Sequence, residues 1–227
     1  MAYALLVALI SLLFALQTGR DFAERRRPYQ AFWTTALAAS AVGSLGYAAA
    51  VLWVSELAFR LYYIFGALWV APVMGLGSVY LVAPRKTAHW IAGLTALGLV
   101  IGSGMLLVSP IDHQALANLA GSSGQGVYLR GAWLAVMILL NVFGAAAVVG
   151  IAIFSALRAA RSGKNLGFMW GNLLIGLGFL IISAAGSAAR WWPNWEGSFW
   201  VTMALGWLVA YGGFRVITRT AEALRKA

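Results

Sequence analysis

Apolar residues fall along this chain in seven stretches divided by short polar interruptions, at about 2–17, 31–54, 61–83, 88–108, 132–157, 167–189 and 199–216. A helix rises about 1.5 Å per residue and the hydrocarbon core of a bilayer is about 30 Å thick, so a spanning helix needs roughly 20 residues. All seven stretches are near that length. The pattern predicts an all-α, polytopic membrane bundle of seven transmembrane helices, with residues 1–227 forming a single transmembrane domain.

The polar interruptions orient the bundle. Basic residues are retained on the cytoplasmic side of a membrane. Arg20, Arg25, Arg26 and Arg27 follow the first stretch, Arg85 and Lys86 the third, and Arg158, Arg161 and Lys164 the fifth, while Arg215, Arg219, Arg225 and Lys226 follow the seventh. The other three loops hold only Arg60, Arg130 and Arg190. This alternation predicts an N-terminus outside and a C-terminus in the cytoplasm. No basic residue precedes the first apolar run and no clear small-residue cleavage site follows it, so an uncleaved helix is expected there rather than a signal peptide.

Composition agrees with the pattern. The chain is 62% hydrophobic and 10% charged, with a mean hydropathy of +0.84, too little polar surface for a soluble globule. Its net charge of +10 is assigned to the cytoplasmic face, because Glu56, Asp112 and Glu196 match the outer arginines. Insertion and anionic membrane lipids account for that charge, and no nucleic acid is expected as a partner. Cysteine is absent, which excludes disulfides and thiol chemistry.

The inventory for catalysis is thin. No span carries Asp, Glu or Lys in its interior, which disfavours an ion- or proton-coupled path. The lysines all lie at loop positions, so no retinal Schiff base is available in the seventh helix. His89 and His113 fall on opposite faces and cannot share a metal or bracket a haem. Ser103, between Gly102 and Gly104, has no membrane-embedded base. No metal, no cofactor and no enzymatic activity are expected.

Three features are candidates for a ligand pocket. Pro72 falls in the middle of the third stretch and removes a backbone hydrogen bond, and Tyr62, Trp69, Leu76 and Tyr80 recur beside it as an aromatic stripe. Asn141 and Asn172 place amides in apolar spans, where interhelical hydrogen bonds are the usual solution. Asn172, Gly176, Phe179, Ser183, Ser187 and Arg190 form the more polar face of the sixth helix. These residues predict either packing contacts or a pocket for an apolar small molecule between the third, fifth and sixth helices.

The outer surface offers Arg60, Arg130, Arg190, Trp191 and Trp192. The segment ARWWPNWEGSFW reads as an interfacial belt formed by Trp191, Trp192, Trp195 and Trp200, with Pro193 and Asn194 turning the chain. In the long loop at 109–131, Asp112 is placed to cap a short surface helix, and the Gly/Ser run after it reads as a flexible connector. Small-residue faces at Gly98 and Gly102, Gly167 and Gly171, and along Ala36, Ser40, Gly43 and Tyr47 predict close helix packing.

The segment RLYYIFGALWVAPVMGLGSVYLVAPRK, followed by a fourth span and a loop opening Pro110-Ile111-Asp112, resembles a group of uncharacterised bacterial seven-helix membrane proteins. A fainter similarity in helix order is to the seven-helix sensor modules of histidine kinases. The first resemblance implies the fold and a bacterial inner membrane, and brings no activity. The second implies a signal passed to a separate cytoplasmic or membrane protein partner. Together these readings predict a receptor-like or lipid-binding bundle, with a structural subunit of a larger complex or a transporter without intramembrane charges as the alternatives.

Overall fold

A computed structural model describes residues 1–162, 166–191, 195 and 197–226, apart from the side chains of Ser187, Arg190, Arg225 and Lys226. Lys164, Trp192, Pro193, Asn194 and Glu196, all named above, lie outside the described residues.

Seven helices are long and apolar enough to cross a membrane. In chain order the spans are Ala2–Arg25, Pro28–Trp53, Glu56–Val82, Arg85–Val108, Trp133–Ser162, Leu166–Trp191 and Ser198–Lys226. Several run further than their apolar stretches. The first continues through Arg20 to Arg25, and the seventh through Arg219 to Lys226. Hydropathy reports where lipid ends; Arg, Lys and Glu are good helix formers and carry the backbone helix on beyond it.

Local chemistry sets the connections. Arg26 and Val54 adopt left-handed conformations, with φ of 51° and 48°, where the first two spans stop. Pro28 opens the second span at a position that lacks an intrahelical donor in any helix. Ser55 caps the third by accepting from the Ala58 amide at 3.3 Å.

Six spans close into a ring in the order one, two, three, five, six, seven, and the fourth docks outside it against the third and fifth. The third span is accordingly the most buried, and the fourth and fifth turn most of their surface outward. Where spans cross, glycines remove the side chain that would hold the backbones apart. A Cβ on Gly144 would lie 2.2 Å from the Ala71 carbonyl, and one on Gly43 would lie 2.5 Å from the Gly66 nitrogen. The sixth and seventh spans approach in the same way at Gly171 and Gly213, and again at Gly178 and Gly206. At the waist of the ring Phe14, Met74, Phe179 and Trp207 fill the interior.

The third span is not a plain α-helix. Residues Tyr62–Trp69 form a π-helix before the α-register resumes at Val70. Side chains on either side of that segment no longer follow one helical phase, so the expected aromatic stripe divides. Tyr62 turns to the second and seventh spans, meeting Tyr47 and Trp200 with ring centroids at 5.3 and 5.7 Å. Trp69 turns outward to the fourth, where its indole N–H donates to Ser103 at 3.1 Å. Tyr80 stacks on Phe32.

Candidate functional site

The 109–131 segment, expected to be a connector with a flexible Gly/Ser return, is a packed plug over one end of the ring. Asp112 caps the helix His113–Ala117 as the sequence predicts, accepting from the amides of Gln114 and Ala115 at 2.9 and 3.0 Å. The Gly/Ser run is the unexpected part. Its carbonyls, with that of Leu119 just before it, are the acceptors for a set of buried aromatic donors: Tyr47 donates to Leu119 at 3.1 Å, Tyr62 to Ser123 at 2.8 Å and Tyr63 to Gly124 at 3.1 Å. The Trp200 indole N–H adds a bond to the Ser122 carbonyl at 3.3 Å.

Each of these groups satisfies another that burial would otherwise leave unpaired. Gly124 makes the approach possible, since its φ is +75° and a Cβ there would lie 2.8 Å from the Phe59 ring. Leu116, Leu119, Val127 and Tyr128 bury the apolar side of the plug.

Two sequence readings change at this end. Trp200 is not a belt residue: at 2% exposure it belongs to the core. Trp191 and Trp195, exposed by 70% and 51%, remain at the surface as a belt requires. Arg60, expected on the outer surface, turns inward instead. It pairs with Glu56, contacts the Leu106 carbonyl, and donates to the Ser109 carbonyl at 2.9 Å. Those carbonyls end the fourth span and have no helical partner, so a cation completes them. Arg130 is exposed. Beside Arg60 the Tyr128 ring lies 5.8 Å from the guanidinium, and burial pushes the Tyr128 phenol up to about 12 although the cation opposes the shift.

Below the plug the fifth and sixth spans are parted by a cleft of about 890 Å³ that reaches the third and seventh. Asn141, Ala145, Ser183, Gly66, Ala67 and Met203 are among its walls. Val142 and Ser183 at its rim are exposed, so it opens through the flank of the ring. A small void lined by Ser40, Ser44 and Tyr62 shares the Gly66, Ala67, Phe199 and Met203 wall and gives the cleft a polar inner end. The structure thus gathers Asn141 and Ser183 around one space, and Tyr62 lines the adjoining void. Trp69 and Pro72 are not among the residues lining it.

Asn141 and Pro72 are nevertheless linked. Ala67 lies in the π segment, five residues before Pro72, whose nitrogen carries no hydrogen. The Asn141 amide donates to the Ala67 carbonyl at 2.9 Å, the interhelical bond that an amide in an apolar span predicts. Asn172 does otherwise. It donates to Phe168, one turn back in its own helix, at 2.7 Å, and lines a second cavity of about 1240 Å³ at the opposite, basic end of the ring.

The class defined by this fold is a seven-helix membrane bundle with a plugged end, a flank-opening cleft and, among the described residues, no group of three or more His, Asp or Glu side chains placed to hold a metal ion. No protein-family model, curated protein or solved structure matches the chain.

Proposed function

We propose that this protein is a non-catalytic, receptor-like bundle of a bacterial inner membrane, oriented with its N-terminus outside and its C-terminus in the cytoplasm, that holds a slender apolar molecule taken from the bilayer. The observation that carries the reading is the cleft at Asn141, Ala145 and Ser183. It opens through the flank of the ring while the end above it is closed by tyrosine hydroxyls bonded to the 119–124 backbone. A ligand arriving from water would meet the plug; one dissolved in lipid meets an opening. Largely apolar walls with a few polar groups are the usual make-up of a small-molecule site.

Native mass spectrometry on protein gently extracted from its own host membrane tests this reading. A retained small mass that is lost in Ala145→Trp supports it, and a bare chain overturns it. The orientation has its own test: a C-terminal reporter active only outside the cytoplasm stays silent if the basic end is cytoplasmic.

A second reading, a structural subunit of a larger complex, draws on the outward faces of the fourth and fifth spans. Gly93, Gly104 and Gly150 have open space where a Cβ would stand, and Leu94, Leu97 and Val100 around them are exposed. Small residues on a lipid-facing surface permit another helix to approach closely. A bare chain that co-purifies with a second polypeptide selects this reading.

A further inference from the structure

We infer that the cavity at the basic end of the ring seats an anionic phospholipid, with its phosphate at Arg158 and its acyl chains leaving between the third and fifth spans. The cavity of about 1240 Å³ is bounded by five of the six ring helices and is amphipathic along its length. At its end Ser155, Arg158 and Ser162 form one stripe of the fifth span, and Asn172 faces the same space from the sixth. Its side opening is apolar: Leu81, Val82 and Phe154 line it and are exposed by 46%, 49% and 55%. A free anion would have no use for that apolar gate, whereas the chains of a lipid occupy it without desolvating a polar group.

Charge complementarity selects an anionic headgroup. Among the described residues no carboxylate forms an ion pair with Arg158; the ion pair found is that of Arg60 with Glu56 at the far end. Asp21, Glu24 and Glu222 are the only acidic residues on the segments of the basic end, against a net charge of +10 for the chain. A guanidinium donates several hydrogen bonds in a fixed fork suited to a phosphate, and basic pockets between transmembrane helices are established seats for phosphorylated headgroups. Arg161, three residues on and exposed like Arg158, does not line the cavity. The site is independent of the cleft: Ala145 and Arg158 are separated along one helix by about 20 Å.

The full chain in nanodiscs of phosphatidylglycerol mixed with phosphatidylcholine tests the inference, with retained lipid read by native mass spectrometry after transfer to detergent. Phosphatidylglycerol is expected to be retained preferentially. Arg158→Gln is expected to weaken that retention about fivefold, the effect of one basic residue near an anionic headgroup, while Arg158→Lys keeps part of it. Arg161→Gln and the cleft variant Ala145→Trp should retain the lipid as the wild type does, with helix content and melting temperature checked for every variant. Equal retention of phosphatidylcholine, an unchanged Arg158→Gln, or an equal loss in Arg161→Gln would overturn the site. Displacement of the lipid by inorganic phosphate alone would also overturn it, by making the headgroup pocket a site for the free anion.

Discussion

The Asn141 amide of the fifth span donates to the Ala67 carbonyl of the third, its neighbour in the ring, at 2.9 Å, five residues before Pro72. The bond explains a polar residue in an apolar span and a proline in mid-membrane together. In a π register a carbonyl is served by the amide five residues on, which proline does not have, and here the neighbouring helix supplies a donor to Ala67. Asn141→Ala should therefore cost about 1–2 kcal/mol of stability. In a Pro72→Ala background, where residue 72 regains its own N–H, the cost should shrink by half or more. A double-mutant cycle read by denaturant unfolding in detergent checks the coupling, and simple additivity would separate the two residues.

The plug depends on backbone acceptors that lie within reach of buried hydroxyls. Tyr62→Phe removes one bond, to the Ser123 carbonyl, and is expected to cost about 1 kcal/mol. Gly124→Ala is expected to cost more, because its φ of +75° is strained for alanine and the new Cβ presses on Phe59. Hydrogen exchange at residues 119–128 should accelerate in both variants, and more in the second. Unchanged protection would mean that apolar burial alone holds the plug.

Much of the architecture was legible beforehand, and the misreadings have physical causes. Span number and the Asp112 cap follow from hydropathy and from the short-range bonding of a carboxylate, both local properties. The position of the fourth span outside the ring was not legible, since lipid and bundle interior are equally apolar and leave the same pattern on a helix. Trp200 was misread because a run of tryptophans shows an interface without showing which ring faces inward. The 121–126 run looked flexible because Gly and Ser have no large side chains to pack. Here it is the carbonyls of Ser123 and Gly124 that bind, and Tyr62 and Tyr63 near the start of the third span are the available signal. Of the pocket residues, Asn141 and Ser183 fall on one space, the first part-buried and the second at its exposed rim, whereas the π-helix rotates Trp69 away from it.

Alkaline pH should loosen the plug end. The Tyr128 phenol is pushed up to about 12 by burial, against an ordinary value of about 10 for the unfolded chain. Between those values the unfolded chain loses this proton while the folded one keeps it, so stability is full below pH 10 and declines as pH rises toward 12. Melting temperatures measured across that window should fall, and Tyr128→Phe should flatten the decline. Tyrosinate absorbance checks the assignment, since one late-titrating group should disappear in the variant. An identical slope in both proteins would place the alkaline sensitivity elsewhere.

Two glycines of the fifth span separate packing from backbone propensity. At Gly144 an alanine Cβ would lie 2.2 Å from the Ala71 carbonyl carbon and oxygen and 2.6 Å from the Pro72 nitrogen, all backbone atoms that cannot swing aside. Gly150, on the same helix, has nothing within 4 Å of the corresponding point. Gly144→Ala should thus force the third and fifth spans apart at a cost of about 2–3 kcal/mol, within the range for overpacking a core. Gly150→Ala should be neutral or stabilise by up to about 1 kcal/mol through helix propensity. The cleft gives the first variant a second readout, because Gly144 lies between its wall residues Asn141 and Ala145. Separation of the spans there should lengthen the Asn141 bond to Ala67 and weaken ligand retention together. Should Gly144→Ala melt with the wild type, the close crossing at Pro72 would not be what holds the third span against the fifth, and the Asn141 bond would have to carry that contact.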